Sequence, residues 1–387
     1  MCRQPLNLKP INAASIHRNI VLVSHGFQSN YERGFANGVA AGGVKATLIS
    51  SDQTDISGLH NEISVLNLRG SQIEARSRLT KIVNLLIYHW RLMGLVARER
   101  PIVHVFGLIY PAFLCGVIEG LLFKCVSPRY ILTAHDLLPH DSHSRWNSFI
   151  FGLAYRLADR VVVHTDKMKA DLVRMYHVKS DRVVVMEHGI EPLGTDTNAD
   201  APKLADAPYQ ILFFGKVARY KGVDILLEAL CRLPLNFNLL IAGRCLDQDL
   251  ERELKQAIAI HPYVGRIGCR FGHIPDADIP DLFGAADVVV LPYRHIDQSG
   301  VLFQSLRFGV PIVAARVGSL AQYVTAEVGE TFDRGDVIGL SNALVRAHAR
   351  RSEFGRDRIR AVARCFEWPQ TARVLLPIYA MTDKGAA

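Results

Sequence analysis

Residues 209–222, YQILFFGKVARYKG, decide the fold of this chain. Tyr209 to Phe214 form an almost continuous apolar run, the pattern of a strand buried on both faces of a parallel sheet. Gly215 ends the run. Lys216, Arg219 and Lys221 then place three cations within six residues, and 222–230, GVDILLEAL, has helical spacing. This predicts a strand, a basic loop and a helix in immediate succession. Open α/β sheets bind their ligands at such strand ends. Glycine lets the backbone approach a ligand closely. Fixed cations there neutralise a diphosphate, above all one departing as a leaving group. A solvated basic turn has the same composition; the strand-end placement favours a ligand site.

The same rhythm runs in both directions. Downstream come 238–243 NLLIAG, 266–274 RIGCRFGHI, 287–293 DVVVLPY and 311–317 PIVAARV. Upstream come 19–26 NIVLVSHG, 44–52 VKATLISSD, 102–107 IVHVFG, 129–136 RYILTAHD, 160–165 RVVVHT and 182–189 RVVVMEHG. Strands alternating with helices predict doubly wound parallel sheets. Residues 191–208, EPLGTDTNADAPKLADAP, lack periodicity and have linker composition. The predicted domains are therefore 1–190 and 209–365, joined by 191–208. Residues 366–387 lie beyond the second sheet and are expected to pack back on the first domain.

A length of 387 residues exceeds one ordinary core, and 49% hydrophobic against 21% charged residues is globular composition. The net charge of +8 suits an acidic partner without choosing among phosphorylated ligands, anionic membranes and nucleic acid. No aromatic–basic interleaving marks nucleic-acid binding, and none is expected. The seven cysteines form no CxxC pair and no zinc spacing. They are expected to be reduced thiols of a cytoplasmic protein, and the opening MCRQPLNLKP shows no secretory h-region. Phe106 to Phe123 is strongly apolar but contains Pro111 and Glu119, so a buried helix after a strand is expected, not a bilayer span. Lys81–Arg100 reads as an amphipathic helix on the sheet, with cations compatible with an anionic lipid face.

A second motif, PYRHIDQSG at 292–300, precedes VLFQSLRFGVPIVA. A strand ends at Tyr293, a polar loop follows, and a helix opens near Gly300. Its free N–H groups and dipole favour an anion, with Ser299 adding a hydroxyl. An N-cap looks the same in sequence.

These two motifs together resemble the donor domain of the family 4 glycosyltransferases. TAHDLLPHD at 133–141, VVHTDKMKADLVRMYHV at 162–178 and VMEHGIEP at 185–192 add resemblance in the first half. The resemblance implies a GT-B fold, two Rossmann-like parallel-sheet domains facing across a cleft. It implies retaining transfer of a sugar from a nucleoside diphosphate sugar. Lys216 and Lys221 match the family's two loop cations on the donor diphosphate, with Gly215 in the loop and Arg219 an additional cation. Gln298, Ser299 and Gly300 match the loop and helix start facing the phosphates. His135 matches the histidine at the sugar end. Gly26 lies where the family's acceptor domain has a glycine-rich loop, with Asn30 and Tyr31 as candidate acceptor contacts. The family's two glutamates fall at Ile296 and Gln304; Asp297 and Gln304 are the candidates to replace them. The donor is a UDP- or GDP-sugar, a substrate and not a cofactor, and no metal is expected. The implied acceptor is a glycan or a polyprenyl-lipid-linked sugar of surface polysaccharide or glycolipid synthesis, which suits a peripheral position on the inner membrane face.

The Asp-x-Asp sequences 247–249 and 276–278 each precede a helix and read as first-turn acids rather than metal ligands. No GxSxG, GxxxxGK[ST] or GxGxxG occurs, which argues against hydrolase, ATPase and dehydrogenase chemistry. A non-catalytic nucleotide-sugar-binding subunit and a sugar-nucleotide epimerase of the same fold remain alternatives.

Overall fold

The computed structural model describes residues 19–25, 29–72, 77–108, 115–135, 137, 144–191, 207–296 and 298–380. The chain forms two compact units. One is Arg3–Gly189 together with Phe366–Ala387; the other is Ile190–Cys365 together with Met1–Cys2.

The first unit runs β1 (Ile20–Ser24), α1 (Ser29–Ala41), β2 (Ala46–Ile49), β3 (Ile63–Leu66), α2 (Arg78–Glu99) and β4 (Ile102–Phe106). It continues with α3 (Cys115–Val126), β5 (Arg129–Thr133), α4 (Arg145–Leu157), β6 (Arg160–Val163), α5 (Asp166–Tyr176) and β7 (Val183–Val185). The seven strands are parallel in the order β3-β2-β1-β4-β5-β6-β7. The order in which strands are added reverses between β1 and β4, so helices cover both faces. On one face Tyr88 and Leu92 of α2, Phe123 of α3, Tyr155 of α4 and Leu172 of α5 pack together. On the other, Tyr31, Phe35 and Val39 of α1 pack against Trp368 and Tyr379. Hydroxyl N-caps start three of these helices: Ser77, Ser144 and Thr165 accept from the third residue on.

The second unit runs β8 (Tyr209–Phe214), α6 (Val223–Leu230), β9 (Phe237–Gly243), α7 (Gln248–Ala259), β10 (Ile267–Phe271) and α8 (Ile279–Ala285). Then follow β11 (Val288–Leu291), α9 (Gly300–Phe308), β12 (Ile312–Ala315), α10 (Leu320–Tyr323), β13 (Gly329–Phe332), α11 (Val337–Ala349) and α12 (Arg356–Ala363). Its six strands are parallel in the order β10-β9-β8-β11-β12-β13, with the reversal between β8 and β11. The loops after those two strands are the two motifs singled out in the sequence.

The C-terminal helices α13 (Trp368–Thr371) and α14 (Leu376–Ala380) belong to the first unit. The Trp368 ring fills space that three glycines leave open. A Cβ on Gly34, Gly38 or Gly189 would sit 1.9, 2.6 or 2.1 Å from Trp368 atoms. The Tyr379 phenol meets His104 Nδ1 at 2.6 Å, and Arg129 Nη1 donates to the Ile378 carbonyl.

The apolar stretch 106–123 is divided: β4 ends at Phe106 and α3 starts at Cys115, residues 109–114 lying outside those described. Among the described residues no helix is long and apolar enough to cross a membrane. Glu119 of α3 is buried, with His25 Nε2 and His89 Nε2 each 3.2 Å from one of its oxygens. Those imidazoles hold its carboxyl down at about 2 against the opposing effect of burial. The expectation of reduced thiols throughout fails at Cys365, which is disulfide-bonded. Cys115, Cys125, Cys231, Cys245 and Cys269 are free.

Candidate functional site

The site in the second unit is built on two strand ends. After β8, Gly215 adopts φ +97° and its N–H donates to the Ala242 carbonyl at 2.9 Å; Val217 N–H donates to the Arg244 carbonyl at 2.9 Å. The backbones there are in close contact, since a Cβ on Gly243 would lie 1.9 Å from the Gly215 oxygen. Arg219–Lys221 make one tight turn, closed by Gly222 at φ +67°. A Cβ on Gly222 would lie 2.1 Å from the Pro292 carbonyl oxygen, so only glycine brings the basic turn against the loop after β11.

Arg294 staples the two loops. Its N–H donates to the Tyr220 carbonyl at 2.7 Å, its guanidinium to the Arg219 carbonyl at 2.8 Å, and it forms a two-point pair with Asp224 at the start of α6.

The result is a convergence on Gly215. A Cβ there would meet Val301 Cγ2, in the first turn of α9, at 3.0 Å and the Lys221 ammonium at 3.7 Å. Lys221 is only 7% exposed. Its ammonium donates to the Tyr293 phenol at 3.2 Å and lies 4.7 Å from that ring's centroid. Among the described residues no carboxylate pairs with it, and burial pulls its pKa below the usual lysine value. Tyr293 is wholly buried and its phenol is pushed up by burial, with the Ser299 hydroxyl beside it acting in the opposite sense.

Ser299 precedes α9 but does not cap it; its side chain makes no bond to the helix, unlike Asp247 and Asp336, which cap α7 and α11. The hydroxyl is buried and lies outside hydrogen-bond geometry with Tyr293, and Gln298 Nε2 is likewise buried without an acceptor. The ammonium lies beside Gly215 and the first turn of α9, and in the loop that opens this helix the Ser299 hydroxyl and the Gln298 amide have no hydrogen-bond partner among the described residues. That set of donors fits a polyanion.

The first unit gathers a different cluster at the ends of β5, β6 and β7. His164 Nδ1 donates to the Met186 carbonyl at 2.9 Å, which leaves Nε2 to accept from His135 Nδ1 at 3.3 Å. His188 Nδ1 donates to the Gly189 carbonyl at 2.7 Å. The Tyr31 ring lies edge-on to all three, 4.4 Å from His135, 5.7 Å from His164 and 5.3 Å from His188. Burial drives the imidazoles down, His135 to about 3 and His188 to about 4, with His164 also well below its usual value. The cluster is therefore neutral near pH 7, and the assigned tautomer leaves His135 Nε2 as an acceptor.

Residues 28–192 match the family model described as Glycosyltransferase Family 4, and residues 208–350 the model described as Glycosyl transferases group 1. The chain belongs to the family 4 glycosyltransferases. A D-inositol 3-phosphate glycosyltransferase of Xylanimonas cellulosilytica is 29% identical over 59% of this chain and 58% of that protein. The Salinispora tropica protein of the same name is 30% identical over 57% of this chain and 51% of its own length. The chain thus spans about half the length of the curated relatives it matches. Among solved structures, sucrose-phosphate synthase from Thermosynechococcus elongatus aligns with TM-score 0.71 and 19% identity, over 94% of this chain and 98% of that one. Anabaena HepE in complex with UDP aligns with TM-score 0.68 and 15% identity, over 93% and 99%. These likenesses show a GT-B fold.

Within this family 4 chain, the structure brings Gly215, Lys221, Ser299 and the Gly300 helix start together. Lys216 is exposed beside Gly215. Gln304, one turn into α9 from Gly300, is partly buried. Arg219 departs from the expectation that it faces the diphosphate: its guanidinium makes a two-point pair with Glu253 and also reaches Asp247, both associated with α7. Carboxylates one helix away hold it at the surface. Tyr31 departs as well. It is a core residue, 4% exposed, because aromatic neighbours on α1, β4 and α13 enclose it. Asn30 is exposed on α1. Gly26 and Asp297 lie outside the described residues. Asp247 caps α7 and Asp278 pairs with Arg270 at 2.7 Å. Tyr293 and Arg294 carry site geometry that sequence reasoning passed over. The signal was present: an aromatic and an arginine at the strand end of β11, directly before the polar loop.

Proposed function

We propose that this glycosyltransferase transfers a sugar, with retention, from a UDP- or GDP-sugar to a glycan or lipid-linked acceptor in surface polysaccharide or glycolipid synthesis, at the cytoplasmic face of a membrane. The observation that carries the reading is the buried Lys221 ammonium, paired with no carboxylate among the described residues, beside Gly215 and the start of α9. A cation kept partly dehydrated is held for an anion, and Ser299, Gln298 and the first N–H groups of α9 supply further donors. HepE was solved with UDP and with UDP-glucose, which supports a nucleotide-sugar ligand.

In the reaction, the bond from the anomeric carbon to the diphosphate oxygen breaks through an oxocarbenium-like state. Lys221 and Lys216 stabilise the diphosphate as its charge develops. The acceptor oxygen bonds to the anomeric carbon on the same face, and its proton ends on the departing diphosphate. Neutral His135 uses Nε2 to hydrogen-bond the sugar or to orient the acceptor. Gln304 hydrogen-bonds a ribose hydroxyl in place of the family's usual carboxylate. No metal enters this scheme.

The test is a panel of UDP- and GDP-sugars with purified protein, following nucleoside diphosphate release with and without glycan and polyprenyl-phosphate acceptors. Release that rises with an acceptor supports transfer. Binding without release in every combination replaces the reading with a non-catalytic donor-binding subunit, which Ile296 and Gln304 at the usual glutamate positions would favour. A sugar isomer formed without acceptor replaces it with an epimerase.

A further inference from the structure

Eighteen large apolar side chains are strongly exposed among the described residues, and eleven of them lie on three neighbouring helices of the first unit, α2, α3 and α4. Helix α2 has two apolar stripes. Tyr88, Leu92 and Val96 face the sheet and are buried. Leu79, Ile82, Val83, Leu86, Ile87 and Trp90 form a second stripe at i, i+3, i+4, i+7, i+8 and i+11, exposed by 42% to 77%. A surface helix needs one apolar stripe to pack, so the second is unexplained by the fold. Ile118, Leu121 and Leu122 of α3 extend it, and the stacked Trp146 and Phe149 of α4 extend it further. Together they expose apolar surface on the order of 1,000 Å², above the roughly 300–600 Å² of an ordinary monomer's largest patch.

The charge on these helices selects the occupant. They carry seven Lys and Arg residues and only two carboxylates, Glu119, which is buried, and Glu99, which pairs with Arg98. At the edge of the face, α4 and α5 frame a cavity of about 260 Å³ lined by Arg145, Arg156, Phe149 and Tyr176, two guanidinium groups beside aromatic rings. A second copy of this chain would set these cations against themselves. A nucleic acid would leave the aliphatic stripe unburied. A bilayer bearing anionic headgroups satisfies both, with aliphatic side chains in the acyl boundary, cations at the phosphates and tryptophans at the interface. We infer that the α2–α3–α4 face of the first unit lies on an anionic lipid surface, α2 flat in the interface. This names a partner for the lipid-linked acceptor reading and rests on that reading for its purpose, though not for its geometry.

Two of the chain's three tryptophans, Trp90 and Trp146, are exposed on this face, and the third, Trp368, is buried. The full chain is therefore mixed with phosphatidylcholine vesicles containing about 30% phosphatidylglycerol, and with vesicles of phosphatidylcholine alone, at low and high salt. The expected result is cosedimentation and a tryptophan emission shift to shorter wavelength with the anionic vesicles, weakened by salt. Leu86→Ser with Trp90→Ser is expected to lower the partition coefficient by at least about tenfold, since interfacial apolar surface is lost and no attracting charge is added. Both sites are exposed, so circular dichroism should be unchanged, as should the nucleotide-sugar thermal shift of the second unit. Absence of binding by the unsubstituted chain overturns the inference, as does equal binding by the double variant. A concentration-dependent dimer abolished by the same substitutions, with no vesicle binding, also overturns it and assigns the face to a second copy. Donor turnover without lipid is read separately, so loss of one reading leaves the other standing.

Discussion

Replacing Lys221 by Met separates a ligand-binding role from a structural one, because the first predicts a loss of nucleotide affinity and rate and the second a loss of stability. Met keeps most of the stem that fills the space beneath Gly215 and removes the charge. In the unliganded protein the change removes a neutral hydrogen-bond acceptor's partner at Tyr293 and one cation–π contact, together about 1–2 kcal/mol. It also relieves the desolvation of an ammonium that is 7% exposed and has no described carboxylate partner. A buried charge without its counter-ion is a liability of comparable size. The net change in unfolding free energy should therefore fall within about 1 kcal/mol of zero, in either direction. Toward a diphosphate the sign is single: a lost charge-assisted contact costs about 1.5–3 kcal/mol of binding. Turnover should fall by about 10²–10³, as for loss of one preorganised charge-stabilising donor. The assay is thermal unfolding with and without nucleoside diphosphate, paired with steady-state rates on the best donor. Full retention of nucleotide affinity and rate in Lys221→Met would refute the reasoning. A loss of more than about 3 kcal/mol of stability would refute it in the other direction, by showing that the ammonium is part of the fold.

Acid should weaken the first unit before the carboxylates titrate. The folded values of His104 and His135, about 3, and of His188, about 4, lie below an unfolded value near 6.5. The stabilisation by the neutral rings is complete above about pH 6.5 and is lost as pH falls, by roughly 2 kcal/mol per ring at pH 5. Urea midpoints followed by tryptophan emission should drop between pH 7 and pH 5, and a flat profile contradicts the cluster. Glu119, held at about 2, adds a loss only below about pH 4.5, as its folded value is the lower one. Gly222→Ala places a Cβ 2.1 Å from the Pro292 carbonyl at φ +67° and should abolish the nucleotide thermal shift. Gly58→Ala, at φ +68° with nothing within 4 Å, should cost only about 1 kcal/mol and leave the shift intact. Trp368→Ala empties the space lined by Gly34, Gly38 and Gly189 and should cost about 3–5 kcal/mol in denaturant unfolding.

Much of the fold was legible because its strands are continuous apolar runs bounded by glycine or polar residues, as at Tyr209–Phe214 and Val288–Leu291. Strand β3 was not, since ISVL is short, lies at the sheet edge and buries only its first residue fully. The basic turn and the Gln298-Ser299-Gly300 helix start were legible as strand-end motifs. Their relation was not, because it depends on Gly222 against Pro292 and on the Arg294–Asp224 pair, contacts between residues 70 apart. Arg219 and Tyr31 show the converse. Sequence position put both at strand–helix turns, but a cation's partners and an aromatic's burial are set by neighbouring helices that local pattern does not reveal. The outer stripe of α2 hides in the same way. Lys81–Arg100 reads as an ordinary amphipathic helix until the inward residues are known and the remaining apolar ones are left facing outward.

The central claim is that Lys221, Ser299 and the start of α9 form a seat for a nucleoside diphosphate sugar. The most direct measurement is the melting temperature of the full chain against UDP-, GDP- and ADP-sugars, with the matching nucleosides and inorganic phosphate as controls. A ligand that binds only the native state raises it by mass action. The account predicts a rise of several degrees for a UDP- or GDP-sugar that neither the nucleoside nor phosphate reproduces, lost in Lys221→Met. No shift with any diphosphate sugar at millimolar concentration, or a shift that survives the substitution, would contradict it.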